Sequence, residues 1–182
     1  GGRTDCRVGG GGEGGPGAAP AEFLDHSGAP LRQGLVLTRN ALIGTGLKDD
    51  VRRACSGKQT SAFSIASSMA LGADWVNTAR GFMFSLGCIQ AQACHTNECP
   101  VGIATQNVDL RKKFDGAVEN VVNYMNFVAV EIRELMAKLG YRTINEMVGR
   151  CDRLEMRDDV NHWQAKRPDH SKTLYRPKVG TA

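Results

Sequence analysis

Val51-Arg52-Arg53-Ala54-Cys55-Ser56-Gly57-Lys58, then Ser64-Ile65-Ala66 on to Met69-Ala70-Leu71-Gly72, then Asp74-Trp75-Val76-Asn77-Thr78-Ala79-Arg80-Gly81, carry the fold class in their order of residue types. Val51 to Cys55 reads as a brief strand, and Ser56-Gly57-Lys58 as a small-residue loop. Ser64 is the N-cap candidate for a helix with Ile65, Ala66, Met69 and Ala70 on one face, and Gly72 stands where a glycine closes a helix. Asp74 to Thr78 reads as a second strand, and Ala79-Arg80-Gly81 as the loop after it. Strand, small loop, helix, strand, small loop is the grammar of a parallel α/β fold.

Moving toward the N-terminus, Leu31, Leu35, Leu37 and Leu42 predict a short helix broken by Gly44-Thr45-Gly46. Before it lies Val8-Gly9-Gly10-Gly11-Gly12-Glu13-Gly14-Gly15-Pro16-Gly17-Ala18-Ala19-Pro20. Nine of the 22 glycines fall within residues 1–17, so this segment is either a flexible tether or a loop with a function. It contains no serine and carries an acid at Glu13, unlike a typical Gly/Ser linker.

Toward the C-terminus, Val118, Val121, Met125, Val128, Ile132, Leu135 and Leu139 recur every three or four residues and predict an amphipathic helix stopped by Gly140. Thr143-Ile144-Asn145-Glu146 is a capping-box pattern that opens a second, short helix ending near Gly149. This pair reads as structural packing. From Asp152 onward polarity rises and periodicity fades, so residues 151–182, including His162-Trp163 to Pro177, read as an extended polar tail.

Composition sets the outer limits. The 182 residues suffice to bury a core, and 41% hydrophobic with 23% charged residues argue against wholesale disorder. A net charge of +4 is too mild to argue for nucleic acid, and no apolar run approaches the roughly 18 residues of a membrane span. Gly1-Gly2-Arg3-Thr4-Asp5 has no hydrophobic region, which predicts no secretory signal and a cytoplasmic, reducing setting.

In that setting the cysteines are informative. Three of the six stand within twelve residues, Cys88-Ile89-Gln90-Ala91-Gln92-Ala93-Cys94-His95-Thr96-Asn97-Glu98-Cys99, followed by Pro100. Clustered thiols in a polar segment suggest metal or redox work. Structural zinc prefers tight Cys-x₂₋₄-Cys pairs and four ligands; here the spacing is x₅ then x₄, and the local fourth candidate, His95, adjoins Cys94. An iron–sulfur cluster is larger and tolerates wider spacing, and a Cys-Pro closes ferredoxin-type ligand runs. Three cysteines suit a three-iron cluster, or a four-iron cluster whose fourth ligand lies elsewhere. Cys6, Cys55 and Cys151 are isolated.

Ala79-Arg80-Gly81-Phe82-Met83-Phe84-Ser85-Leu86-Gly87-Cys88, together with Cys94-His95-Thr96-Asn97-Glu98-Cys99-Pro100-Val101-Gly102-Ile103-Ala104-Thr105-Gln106, resembles the iron–sulfur segment of the glutamate synthase family. The likeness runs from about Val8 to about Tyr175. It implies a (β/α)₈ barrel that binds FMN beside a 3Fe–4S cluster, with Cys88, Cys94 and Cys99 as ligands. It also implies the C-terminal half of that TIM barrel followed by a helical and extended C-terminal part. Residues 1–108 would be the partial FMN-binding barrel including the iron–sulfur segment 88–106; helices would occupy 109–150 and the tail 151–182. The early barrel strands and the amidotransferase and β-helical domains would lie outside these residues.

The same resemblance gives the glycines a reading. Gly10 to Pro20 matches a family loop at the C-terminal end of a barrel strand, where Gly11, Gly12, Gly14 and Gly15 let backbone approach flavin and 2-oxo acid. Ser56-Gly57-Lys58 and Ala79-Arg80-Gly81, which alone would pass as ordinary turns, match loops that hold the FMN phosphate. Ser56, Gly57, Ala79, Arg80 and Gly81 are therefore cofactor candidates, and Glu13 and Lys58 the candidate catalytic side chains. The chain departs from the family at Gly10, where an acid is usual, at Pro16, where Thr is usual, and at Ala62 and Ser64, where Gly and Asp are frequent. The implied reaction is reduction of 2-iminoglutarate, formed from 2-oxoglutarate and ammonia, to glutamate. Its electrons would come from an NAD(P)H-oxidising flavoprotein or a ferredoxin. Competing expectations are a non-catalytic metal- or cluster-binding remnant and another FMN-dependent reductase on the same scaffold.

Overall fold

The computed structural model describes residues 5–12, 28–155 and Tyr175. Cys6–Gly10 forms β1, Leu31–Gly44 α1, Arg52–Ser56 β2, Ala62–Ala70 α2, Trp75–Asn77 β3 and Ala79–Ser85 α3. Val108–Arg111 is the one-turn α4, Val118–Leu139 the long α5 and Ile144–Met147 the short α6, followed by a 3-10 turn at Cys151–Arg153. Among the described residues the strands make one parallel sheet in the order β1-β2-β3. Each parallel connection needs a crossover, and α1 and α2 supply the two. The architecture is mixed α/β, with a small parallel sheet, as the order of residue types anticipated. The tail beyond Glu155 lies outside the described residues, Tyr175 excepted.

The first crossover brings α1 onto the sheet. Leu31, Leu35 and Val36 pack with Cys55 of β2 and with Leu71, Ala73 and Cys151. A second cluster joins Ile65, Ala66 and Met69 of α2 to Val128 and Met136 of α5 and Met147 of α6. Val76 of β3 touches both. The long helix is thus held by the second crossover. Its buried row is not quite the one its periodicity predicts: Val118, Met125 and Leu139 are exposed, whereas Tyr124 and Met136 turn inward. Its end at Gly140, with φ of 79°, is where the pattern placed it.

Three expectations need correction. The N-cap of α2 is Ser61, not Ser64: the Ser61 hydroxyl accepts from the Ser64 N–H and the Ser64 hydroxyl accepts from the Ser61 N–H, both at 3.2 Å. Extended backbone at Ser61 fixes the helix start there, and Ser64 closes a capping box. Ala62 becomes the first helical residue and is 1% exposed, so a small side chain suits it. Secondly, Ala79-Arg80-Gly81 is not a loop. It is the first turn of α3, because Thr78 alone turns the chain from strand to helix. Gly10, read as the start of the glycine loop, is the last residue of β1.

A charged knot secures the entry end of the sheet. Asp74 Oδ2 accepts from the Arg53 backbone N–H at 2.7 Å and stands 3.4 Å from Arg53 Nε; its other oxygen is 3.5 Å from Arg52 Nη1. Arg53 is 2% exposed and its Nη1 and Nη2 have no hydrogen-bond partner. Burial pushes this guanidinium below its ordinary pKa, and the Asp74 carboxylate opposes that shift. Arg39, equally buried, reaches across to Gly149 O at 3.0 Å and ties α1 to the segment after α6.

On the face of the sheet away from α1, Ala54 is buried between its neighbours on the two flanking strands. Val8 and Trp75, which flank Ala54 in register, are 62% and 39% exposed. No helix among the described residues is long and apolar enough to cross a membrane.

Asp74→Ala strands a buried guanidinium and is expected to cost about 3–5 kcal/mol, read as a lower midpoint in urea unfolding. At α6, the Glu146 carboxylate accepts from the Arg142 N–H at 2.8 Å and the Thr143 N–H at 3.4 Å, which holds its pKa below the ordinary carboxylate value. A depressed folded pKa means the stabilisation is present above the usual carboxylate range and lost as pH falls through the folded value. Glu146→Gln should flatten that acid limb of an unfolding-versus-pH curve.

Candidate functional site

Register decides where the loops emerge. Gly10 pairs with Ser56 and Ser56 with Asn77, so the three strands stop at one level. Gly11, Gly12, Ser56, Gly57, Lys58, Ala79, Arg80 and Gly81 are thereby gathered at the C-terminal edge of the sheet. That edge is where parallel α/β folds bind ligands. Gly11 and Gly12 are buried, and their N–H groups are already spent, on Ser56 O at 3.0 Å and on Ala29 O at 2.8 Å. They offer close approach of the chain rather than donors. Glu13, Gly14, Gly15 and Pro16 lie outside the described residues.

The loop after β2 is held from behind by side chains. Gln59 Nε2 donates to Gly57 O at 2.9 Å, Thr78 Oγ1 to Gln59 O at 2.5 Å, and Tyr124 Oη to Thr60 O at 3.0 Å. Ser68 Oγ in turn fixes Gln59 Oε1 at 2.9 Å. Because a trans peptide sets C=O and N–H on opposite sides, capturing these carbonyls turns the N–H groups of Lys58, Thr60 and Ser61 the other way. Ser61 N–H is used by the capping box. Lys58 is exposed and has φ of 47°, a left-handed conformation uncommon for a side-chain-bearing residue. These features fit a loop that presents backbone amides to an anion.

The cysteine segment begins at the end of α3. Gly87 N–H donates to Phe84 O at 3.0 Å and Cys88 N–H to Met83 O at 2.9 Å, a Schellman motif with Gly87 at φ of 93°. Cys88 is placed by that motif. Beyond it, Gln90, Gln92 and Asn97 all adopt left-handed backbone, at φ of 58°, 56° and 65°. Such residues persist where their surroundings over-determine them. Here Thr105 Oγ1 donates to Asn97 O at 2.6 Å and lies 3.0 Å from Asn97 Oδ1, which also accepts the Gln106 N–H at 2.6 Å. The hydroxyl accepts from the Asn107 N–H at 3.1 Å. The strand of chain between Cys94 and Cys99 is thus clamped to residues 105–107.

Cys99 is buried at 7% exposure. Burial raises its thiol pKa, but the backbone amides of Ala104, Val101, Ile103 and Gly102 together outweigh burial and hold it below the ordinary value. The chain can curl this tightly because residue 102 is glycine: its φ is 76°, and a Cβ there would collide with Leu110 O. Cys88 and Cys94 are half-buried. By contrast, burial pushes the Cys55 thiol up, as expected of a core cysteine.

Among the described residues, no three His, Cys, Asp or Glu side chains converge as a site for a metal ion. The three cysteines are the donor type that an iron–sulfur cluster would take. The donor chemistry at Cys99 suits it, because amide hydrogen bonds to sulfur stabilise the thiolate and tune the cluster. The cysteine pattern was legible in sequence. The amide cradle, the Asn97–Thr105 clamp and the hydroxyls of Thr78 and Tyr124 were not, because each works through backbone or through partners distant in the chain.

Comparison with known proteins follows the same stretch. A family model described as a conserved region in glutamate synthase matches residues 3–142. The large chain of an NADPH glutamate synthase from Bacillus subtilis is 41% identical over 167 residues, covering 91% of this chain and 11% of the relative. An NADH glutamate synthase from Schizosaccharomyces pombe is 42% identical over 150 residues, 82% of this chain and 7% of the relative. A chloroplastic ferredoxin-dependent glutamate synthase from Arabidopsis thaliana is 39% identical over 146 residues, 80% of this chain and 9% of the relative. The chain therefore spans about a tenth of the length of these relatives.

Thr105→Val removes the hydroxyl on which the clamp closes. Losing these bonds should cost about 1–3 kcal/mol locally. Limited proteolysis is expected to cut between Cys94 and Gln106 several-fold faster than in the wild type, with the sheet left intact.

Proposed function

This chain belongs to the glutamate synthase family, and on that premise we propose that it is the part of such an enzyme that holds a 3Fe–4S cluster and one side of an FMN site. The whole enzyme would reduce 2-iminoglutarate, from 2-oxoglutarate and ammonia, to L-glutamate. Residues 1–108 would complete an FMN-binding (β/α)₈ barrel with strands from elsewhere in the protein, while 109–150 and 151–182 would be its C-terminal helices and tail. The exposure of Val8 and Trp75 on one sheet face supports this, because parallel sheets are normally buried on both faces. A reducing compartment such as the cytoplasm would keep the three thiols available.

The observation that carries the reading is the loop 88–106, in which Cys99 is buried in a turn that closes through Gly102, where a Cβ would meet Leu110 O. Cys88, Cys94 and Cys99 would hold the cluster, and the amides around Cys99 would stabilise its thiolate. Ser56, Gly57, Ala79, Arg80 and Gly81 would hold the FMN phosphate, and the backbone at Gly11 and Gly12 would lie close to the flavin. The same approach is proposed for Gly14 and Gly15, with Glu13 and Lys58 as the polar side chains of the two loops nearest the reacting groups. When bound, FMN supplies hydride chemistry and the cluster one-electron relay. The chain's own part is to orient these groups at the strand ends and to bury sulfur away from water. The electron donor is proposed to be an NAD(P)H-oxidising flavoprotein or a ferredoxin, because the relatives' names carry NADPH, NADH and ferredoxin.

Anaerobic reconstitution with iron and sulfide tests this directly. The expected product is brown, with roughly three iron atoms per chain and the EPR signal of an oxidised three-iron cluster. Cys94→Ser should lose that signal while FMN retention stays as in the wild type. Zinc uptake in place of iron by the wild type would remove the cluster from the proposal, and joint loss of cluster and FMN in Cys94→Ser would mean a folding defect instead.

A further inference from the structure

We propose that the Tyr124 hydroxyl, carried on α5, is a positioning group that locks the loops after β2 and β3 into a single cradle for a phosphate-bearing ligand. The proposal rests on the FMN-phosphate reading of those loops, and it names the residue that sets their geometry. Tyr124 lies 46 residues beyond Thr78 and 64 beyond Thr60, yet its Oη is 2.9 Å from Thr78 Oγ1 and donates to Thr60 O at 3.0 Å. Thr78 Oγ1 grips the preceding carbonyl, Gln59 O, at 2.5 Å. Two hydroxyls from separate elements thus hold two consecutive carbonyls just after Ser56-Gly57-Lys58.

The same hydroxyl sits over the other loop. Gly81, in the first turn of α3, is buried, and a Cβ there would collide with Tyr124 Oη and Thr78 Oγ1. The Tyr124 ring meets Phe82 edge-on, with centroids 6.1 Å apart and planes at 88°. Ring packing therefore seats α3, while the hydroxyl fixes the spacing between Thr60 and Thr78. Three contacts share the two hydroxyl protons, so Thr78 and Tyr124 act as one unit. With the carbonyl of Gln59 held inward, the orientation of the Thr60 amide follows from peptide planarity, while the hold on Thr60 O fixes the next peptide, whose Ser61 N–H anchors the start of α2 through the capping box. Loosening the tie would let those peptides rotate and scatter the donors.

Tyr124→Phe keeps the ring and its contact with Phe82 and deletes only the hydroxyl. FMN and riboflavin, which differ by the phosphate, are the probes, and amide hydrogen exchange over 57–61 and 78–82 is the second readout on the full chain. The expected result is about tenfold weaker FMN binding, riboflavin binding unchanged, and exchange accelerated together in both segments. Thr78→Val should behave alike, the double variant should be no worse than either single one, and Thr78→Ser, which restores a hydroxyl, should recover FMN affinity. Equal weakening for FMN and riboflavin, or unchanged exchange in either segment, overturns the positioning role. A wild type that binds FMN no more tightly than riboflavin overturns the phosphate reading itself, and hydrogen exchange then decides the tie alone.

Discussion

Register between Gly10, Ser56 and Asn77 forces three chain segments to leave the sheet at one edge, and the rest of the molecule is arranged around that constraint. A parallel strand cannot be joined to its neighbour by a tight turn, so the exits of β1 and β2 are each followed by a helix that crosses back before the next strand. The two edges then take different work. At the entry edge Asp74 neutralises Arg53 and binds the backbone of β2, an arrangement concerned with holding strands together. At the exit edge the contacts are made mostly by hydroxyls and an amide side chain acting on carbonyls, which fixes the shape of the chain there.

Much of the frame was legible because it is written in residue types. The alternation of strand, small loop and helix between Val51 and Gly81 predicts the parallel sheet, and the apolar recurrence ending at Gly140 predicts α5. Ser61 and Ser64 show how close competing signals lie: both are cap residues, and the reciprocal pair at i and i+3 decides in favour of the first. β1 escaped the pattern because Gly9 and Gly10 are poor strand formers, and pairing with Cys55 and Ser56 imposes the strand on them. Ala79 to Gly81 escaped because a small-residue run reads as a turn until a neighbour, here Tyr124, requires the small residue for close approach. Tyr124 itself is one more inward residue on an amphipathic helix, and its hydroxyl has meaning only once Thr60 and Thr78 are brought beside it.

The chemistry of both parts of the site is largely main-chain chemistry. Side-chain patterns can announce three cysteines, but the burial of Cys99 follows from the path of residues 99–104, which Gly102 permits. Likewise the loop after β2 is defined by which carbonyls are captured. A substitution that leaves every candidate ligand in place can therefore still abolish the site by changing the direction of a peptide.

The left-handed residues between Cys88 and Cys99 carry this into evolution. Gln90, Gln92 and Asn97 are all exposed, and exposure alone would mark them as positions free to vary. Their backbone says otherwise: Gly, Asn and Asp fit that conformation, while Val and Ile meet a steric penalty whatever the space around them. Among descendants of this sequence the spacers between the cysteines should drift within a narrow, β-branched-poor alphabet, so that the loop's variability is limited by torsion angles rather than by packing.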